Sequence, residues 1–148
     1  MIFEHTITVD APSEAVTAFL ADVPRVAACV PGVQDVTLVG DDEYEGRLRV
    51  RLGPVGFSLT GQAQVQRDEA GTLHARGGGR DRRIGAGVDA VIEARVEPLE
   101  AGDSELRVTA DVQFSGRLAE LGQPLIRRKA DAMVRDFAKN MQAAFADR

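Results

Sequence analysis

At 148 residues, with 44% hydrophobic and 28% charged side chains, the chain has the length of one domain and enough apolar material for a core, which excludes an intrinsically disordered protein. A formal net charge of -5, with one Tyr, six Phe and no Trp, excludes nucleic acid as a partner, because both the basic footprint and the stacking platforms are missing. The single Cys29 permits no internal disulfide, Glu4 interrupts residues 1–9 before an apolar signal segment can form, and the uncharged run 53–66 carries Ser58, Thr60, Gln62, Gln64 and Gln66. The expectation is a soluble, cytoplasmic, single domain over residues 1–148 with no membrane span.

Residues 1–9 alternate, with Phe3, His5, Ile7 and Val9 on one side, and predict a half-buried strand. Asp10, Ala11 and Pro12 break it. Ser13 is the expected N-cap of a short helix over 14–21 whose apolar face is Val16, Phe19 and Leu20. Pro24 is expected to stop this helix, a second short one follows over 25–30, and Pro31 and Gly32 end the helical region. From 33 to 116 the pattern is strands and turns. Tyr44, Gly46, Leu48, Val50 and Leu52 share one face, with Glu45, Arg47, Arg49 and Arg51 opposite. Phe57, Leu59, Gly61, Ala63 and Val65 repeat the alternation, as do Leu73 and Ala75. Residues 77–87, rich in Gly and Arg, are expected to be irregular. Two further strand faces run from Val88 to Val96 and from Leu106 to Phe114. Short turns between consecutive strands require antiparallel pairing, giving about seven strands in one sheet.

Beyond residue 117 the period changes. Ile126, Ala130, Met133, Phe137, Met141 and Phe145 recur at three- and four-residue steps, predicting one amphipathic helix over 118–146 with Pro124 near its start. Such a helix is roughly 40 Å long at 1.5 Å per residue, enough to cross a domain with a radius of gyration of about 15 Å. Its apolar stripe needs a partner of comparable size, and only the apolar face of the sheet qualifies. The predicted fold is therefore α+β: a curved antiparallel sheet around a long C-terminal helix, with two short helices after the first strand. Many inward positions are small (Gly46, Gly61, Ala63, Ala75, Ala90, Ala94, Ala110). Small side chains facing a long helix either bring it close, in a solid core, or leave a hollow.

Little in the chain suggests bond-making chemistry. His5, His74 and Cys29 lie in distant segments without metal-ligand spacing, and no metal is expected. Gly85, Gly87 and Ala90 fit a loose G-x-G-x-x-A pattern, but a strand follows it where a dinucleotide site needs a helix. On inward faces, Tyr44 either anchors its hydroxyl to an internal acceptor or offers it to a bound molecule. His5 is either a satisfied histidine or a hydrogen-bond donor to a bound carbonyl, and no inward acid on a strand is expected to orient it for catalysis. Arg76, Arg80, Arg82 and Arg83 form a basic cluster that is either a solvated tip or a contact for an acidic partner or anionic headgroups.

Three segments resemble the CoxG family of carbon monoxide dehydrogenase proteins. Ala28-Cys29-Val30-Pro31-Gly32 is similar to its A-C-φ-P-G signature, Tyr44-Glu45-Gly46-Arg47 through Gly53-Pro54-Val55 to its Y-x-G-x…φ-G-P-φ segment, and Gly116 to Gly122 to its entry into the last helix. The resemblance covers nearly the whole chain and implies the START-like, helix-grip (SRPBCC) fold reached above from periodicity. It also implies a non-enzymatic protein that binds a hydrophobic molecule, a quinone such as menaquinone, with no covalent cofactor. The partner so implied is a CO dehydrogenase-type molybdenum hydroxylase, served by electron-carrier delivery or by recruitment to the membrane through peripheral contact. The alternatives are a ligand-free assembly factor for such a hydroxylase and a cyclase- or hydrolase-type enzyme using His5 and Tyr44. For the carrier, the expected lining is Leu48, Val50, Phe57, Leu59, Phe114, Met133, Phe137 and Met141. Tyr44 or His5 would hold the headgroup and Val30 would stand at a gate. Arg76, Arg80, Arg82 and Arg83 would form the partner or membrane surface. As the sequence ends at Arg148, any membrane contact is expected to use surfaces other than a terminal tail.

Overall fold

The alternating segments are realised as one seven-stranded antiparallel sheet in a computed structural model that describes residues 1–146. The elements in chain order are β1 (Ile2–Val9), α1 (Ser13–Ala21), α2 (Val23–Cys29), β2 (Val33–Gly40), β3 (Glu43–Leu52), β4 (Val55–Arg67), β5 (Leu73–Asp81), β6 (Ala86–Pro98), a single 3-10 turn (Glu100–Gly102), β7 (Ser104–Gly116), α3 (Arg117–Glu120) and α4 (Gln123–Ala146). The strand order is β1-β7-β6-β5-β4-β3-β2, so the chain runs as a meander from β2 to β7 and the first strand closes onto the last. The registers Leu48↔Leu59, Ala63↔Gly77, Ala75↔Ile92, Ala90↔Val112 and His5↔Val108 put the predicted inward residues on one face.

Four local expectations are corrected. Residues 77–81 are not irregular: β5 runs through Gly77, Gly78 and Gly79 to Asp81, paired with β6 throughout and with β4 as far as Arg80, and only residues 82–85 form a turn. Glycine is required where β4 and β5 face each other: a Cβ at Gly61 would lie 1.7 Å from the Gly78 carbonyl oxygen, and one at Gly77 would lie 2.5 Å from the Gln62 carbonyl oxygen. The terminal helix is not continuous from 118. Gly122, at φ +88°, separates α3 from α4, and Pro124 sits in the first turn of α4, where no N–H is needed. At the other end of the chain, the N-cap of α1 is Pro12 rather than Ser13. The Pro12 carbonyl receives the Ala15 and Val16 N–H groups, with no side-chain cap. Likewise α2 starts before Pro24 and takes that proline into its first turn, its cap being the Asp22 carboxylate, which accepts from the Arg25 N–H at 3.4 Å.

Two apolar clusters hold the layers together. One joins Ile7, Val9, Val16, Phe19, Leu20, Cys29, Leu106 and Met141, with Phe137 packed against it. The other, at the opposite end, joins Phe3, Leu52, Phe57, Leu59, Leu118 and Ile126, with Leu48, Val50 and Phe114 packed against it. The 24-residue α4 is roughly 36 Å long and bridges both. Its polar contacts fix its lateral position. The Arg127 guanidinium stacks 5.0 Å from the Phe3 ring, Gln142 Nε2 donates to the Thr8 carbonyl at 2.8 Å, and Asn140 Nδ2 donates to the Cys29 carbonyl at 3.0 Å. The helix thus lies along β1 and reaches α2, and its first turns also meet β3 and β4, where Ile126 packs with Leu52, Phe57 and Leu59; the middle of the concave face, from β3 to β6, is left clear of it.

Candidate functional site

The clear part of the concave face is a cavity of about 310 Å³. Its floor is built from β4, β5 and β6, where Gly61, Ala63, Ala75, Gly77, Gly79 and Ala90 project little or nothing into the space. Leu48, Leu59, Val65, Val88 and Ile92 supply apolar walls, and Val23 and Ala27 of α2 with Val33 and Val36 of β2 close the rim. The physical origin of the space is therefore a run of side chains too small to meet the opposite layer, at a place where no residue of α4 comes down to fill it.

Tyr44 carries the one hydroxyl on the inward-facing wall. It pairs with Leu38 on β2 and Ala63 on β4 and is half-buried. Among the described residues no hydrogen-bond partner holds its hydroxyl. The glycine strand and the Tyr44 edge thus give a largely apolar chamber with one hydroxyl on its wall, lined also by Glu45, Arg47, Gln62 and Arg76, the usual composition of a small-molecule site.

The remaining expected residues are distributed as follows. Leu48 and Leu59 line the cavity together with Tyr44. Val50 and Phe57 border a separate outer cleft, and Phe57 also belongs to the second cluster, against which Phe114 packs. Phe137 and the fully buried Met141 pack around Phe19 and Leu106, and Met133 is half-buried on α4. Val30 is the half-buried C-cap of α2, its N–H donating to the Ala27 carbonyl at 3.1 Å. His5 lies on β1 at the far side of the sheet. Its Nε2 stands 3.7 Å from Asp131 Oδ1, so an acid does face it, from α4 rather than from a strand.

The arginine cluster is divided by the fold. Arg80 is committed to the sheet, donating to the Gly79 and Val88 carbonyls at 2.8 and 3.0 Å and to Asp89 at 3.0 Å. Arg83 pairs with Asp81 at 3.4 Å, while Arg82 and Arg76 are exposed. Asp81 is a buried acid on the inward parity of β5, against the expectation that no strand carries one. The β4–β5 ladder stops at Thr60↔Arg80, and beyond it the Asp81 carboxylate takes over, accepting the Ser58 N–H at 2.9 Å and the Arg83 N–H at 3.2 Å. The Ser58 bond first, then the Arg83 charge, hold its pKa below the ordinary carboxylate range against the effect of burial. The strand parity Gly77, Gly79, Asp81 is the sequence signal that points to it. Cys29 is buried, and burial raises its thiol pKa despite the nearby Arg25, so it is an unreactive core thiol. Among the described residues no group of His, Cys, Asp and Glu is placed to hold a metal ion.

Comparison with known proteins agrees with this architecture. The sequence model of the carbon monoxide dehydrogenase CoxG subunit matches residues 6–146. The chain belongs to the CoxG family. Within it, the family-like segment at residues 28–32 forms the end of α2 and the turn into β2, where the Arg49 N–H donates to the Gly32 carbonyl at 2.9 Å. Among solved structures, a conserved protein from Geobacillus kaustophilus is similar with a TM-score of 0.85 and 21% identity, over 99% of this chain and 96% of that one. A STAR-related lipid transfer protein from Xanthomonas axonopodis is similar with a TM-score of 0.63 and 10% identity, over 95% of this chain and 85% of that one. The Zhui aromatase/cyclase from Streptomyces sp. R1128 is similar with a TM-score of 0.60 and 23% identity, over 97% of this chain and 90% of that one. These likenesses establish the START-like helix-grip fold. No match is found among curated proteins. No helix among the described residues is long and apolar enough to cross a membrane.

Proposed function

We propose that this member of the CoxG family is a non-enzymatic binding protein for an apolar, ring-bearing molecule of the quinone type, menaquinone being the candidate, and that it serves a CO dehydrogenase-type molybdenum hydroxylase by delivering that carrier or by membrane recruitment. The observation that carries the proposal is the apolar cavity with Tyr44 on its wall. At about 310 Å³ it stands at the small end of the range of roughly 300–1,000 Å³ typical of small-molecule pockets. That is room for a ring headgroup and the start of a tail, with the rest of a long tail left outside. The Tyr44 hydroxyl would donate to a quinone carbonyl. Inside a water-poor wall such a bond contributes about 1 kcal/mol net, so it orients the ring while apolar burial supplies most of the affinity. The family membership supports the hydroxylase partnership, and the lipid-transfer neighbour supports apolar cargo.

The test is direct. Native mass spectrometry and solvent extraction of the purified protein should release a quinone or lipid, and the emptied protein should take up added menaquinone, with severalfold weaker uptake after Tyr44→Phe. A protein that carries nothing and binds no added menaquinone rules the carrier out and leaves the ligand-free assembly factor, which a pull-down of hydroxylase subunits would then support. The cyclase neighbour gives the enzymatic alternative its one foothold. It requires turnover that disappears with Tyr44→Phe or His5→Ala. His5 stands on β1, separated by β7 from β6, the nearest strand of the cavity floor, and does not line the cavity, a placement that favours binding over catalysis.

A further inference from the structure

On the outer face of the β3–β4 hairpin, a second cleft of about 350 Å³ is bordered by Arg49, Arg51, Gly56, Ser58 and Arg83, with Val50 and Phe57 completing its lining. The register explains how these groups converge. Arg49 pairs with Ser58 and Arg51 with Gly56, so two guanidinium-bearing side chains leave the same side of one strand beside a hydroxyl and a residue with no side chain. Arg51 leans over the bare position: a Cβ on Gly56 would stand 3.5 Å from Arg51 Nη1. Arg83 reaches in from the β5–β6 turn, with Nη2 3.4 Å from the Gly56 carbonyl oxygen.

The neighbouring arginines are neutralised and these are not. Arg47, next in the same row, faces Asp35 at 3.7 Å, and Arg80 is paired with Asp89 at 3.0 Å. Among the described residues no carboxylate pairs with Arg49 or Arg51, and the one acid at the cleft, the ionised Asp81, offsets Arg83 alone. Two positive charges are therefore in excess at one spot on a chain whose net charge is -5. Like charges two residues apart on one face of a strand repel, and an anion between them relieves that repulsion.

We propose that this cleft is an anion site for a phosphate group, gripped by the planar forks of Arg49 and Arg51 with Arg83 and the Ser58 hydroxyl completing the donor set. Guanidinium forks match tetrahedral oxyanions by paired hydrogen bonds, and two uncompensated forks match a phosphate group, with its several charged or acceptor oxygens, better than a lone carboxylate. The phosphate is either free in solution, as inorganic phosphate or pyrophosphate, or the headgroup of an anionic phospholipid. The site is independent of what occupies the apolar cavity: Leu48 and Leu59 line that cavity from the pair adjoining Arg49 and Ser58, on the opposite face of the hairpin.

The experiment has two arms on the intact chain. Calorimetric titration with inorganic phosphate and with pyrophosphate reads the free anion. Co-sedimentation with phosphatidylcholine vesicles, with and without phosphatidylglycerol, reads the headgroup. At least one arm should show binding, and the Arg49→Gln/Arg51→Gln double variant should weaken it roughly tenfold or more, since charged hydrogen bonds are the strong ones. Gly56→Val, which places a side chain beneath Arg51, should weaken it similarly. Arg95→Gln, on the outer face of β6, should leave it unchanged. Binding in the first arm identifies a soluble phosphate, and binding to phosphatidylglycerol vesicles alone identifies a headgroup. Absence of binding in both arms, or equal weakening by Arg95→Gln, overturns the site.

Discussion

The two halves of the sheet follow the same alternation and behave differently. Under β1, β7 and the adjoining part of β6, the inward residues are Ile7, Val9, Leu106 and Ala94, and they meet α1 and the C-terminal half of α4 in a solid cluster with Phe19 and Met141. Under β3, β4 and β5 the inward positions include Gly46, Gly61, Ala63, Ala75, Gly77 and Gly79, and the result is a hollow. Alternation sets which way a side chain points; its volume, and whether a helix lies above it, decide whether the space is filled. Stability and binding are thereby assigned to different residues of one sheet.

The largest test of that division is Met141→Ala. Met141 is fully enclosed, so its truncation should cost about 2–5 kcal/mol of unfolding free energy by chemical denaturation, while the protein that remains folded should keep its affinity for an apolar ligand. Conversely, Ala63→Leu with Ala90→Leu should fill the floor and abolish ligand uptake. The stability change should stay within about 1–3 kcal/mol, because new volume enters vacant space. Loss of folding in this double variant, rather than of binding, would mean that the floor is structural.

Two smaller effects are set by pH. The Asp81 carboxyl is held below the ordinary carboxylate range, so it contributes stability that is fully present above the unfolded pKa of about 3.9 and is lost as pH falls through its lower folded value. Thermal melts of Asp81→Asn should be lower than the parent near neutrality and should converge with it in strong acid. Asp103 has the opposite sign. Its hydrogen bond with Asp10, then burial, then the Asp10 charge raise its pKa, so its contribution is present in acid and lost as pH rises through the raised value. Asp103→Asn keeps a hydrogen-bonding side chain and removes one charge of the pair, so its melting temperature should exceed the parent's at neutral pH and match it below about pH 3.

Much of this was legible in the sequence. The run Tyr44 to Leu52 with arginines between has only one interpretation, and the change to a three- and four-residue step after 117 marks the helix that the sheet must receive. What could not be read was lateral placement. Arg127 over Phe3 and Gln142 on the Thr8 carbonyl hold α4 along β1, and such long-range polar contacts leave no periodic trace, so the stripe residues Phe137 and Met141 pack around Phe19. Glycine also hid the course of β5, because residues 77–79 have no side chains with which to display alternation. Asp81 was hard to read for a related reason: its inward parity shows only once the glycine run is taken as strand, and its task, replacing a missing strand partner, is revealed only by the end of the ladder.

The contact between Gly61 and Gly78 has an evolutionary consequence. Any side chain at Gly61 would collide with backbone 1.7 Å away, so the crease of the chamber is closed to substitution. Divergence among descendants of this chain must therefore re-tailor cargo preference through the neighbouring alanines, with the crease inherited as an unvarying hull.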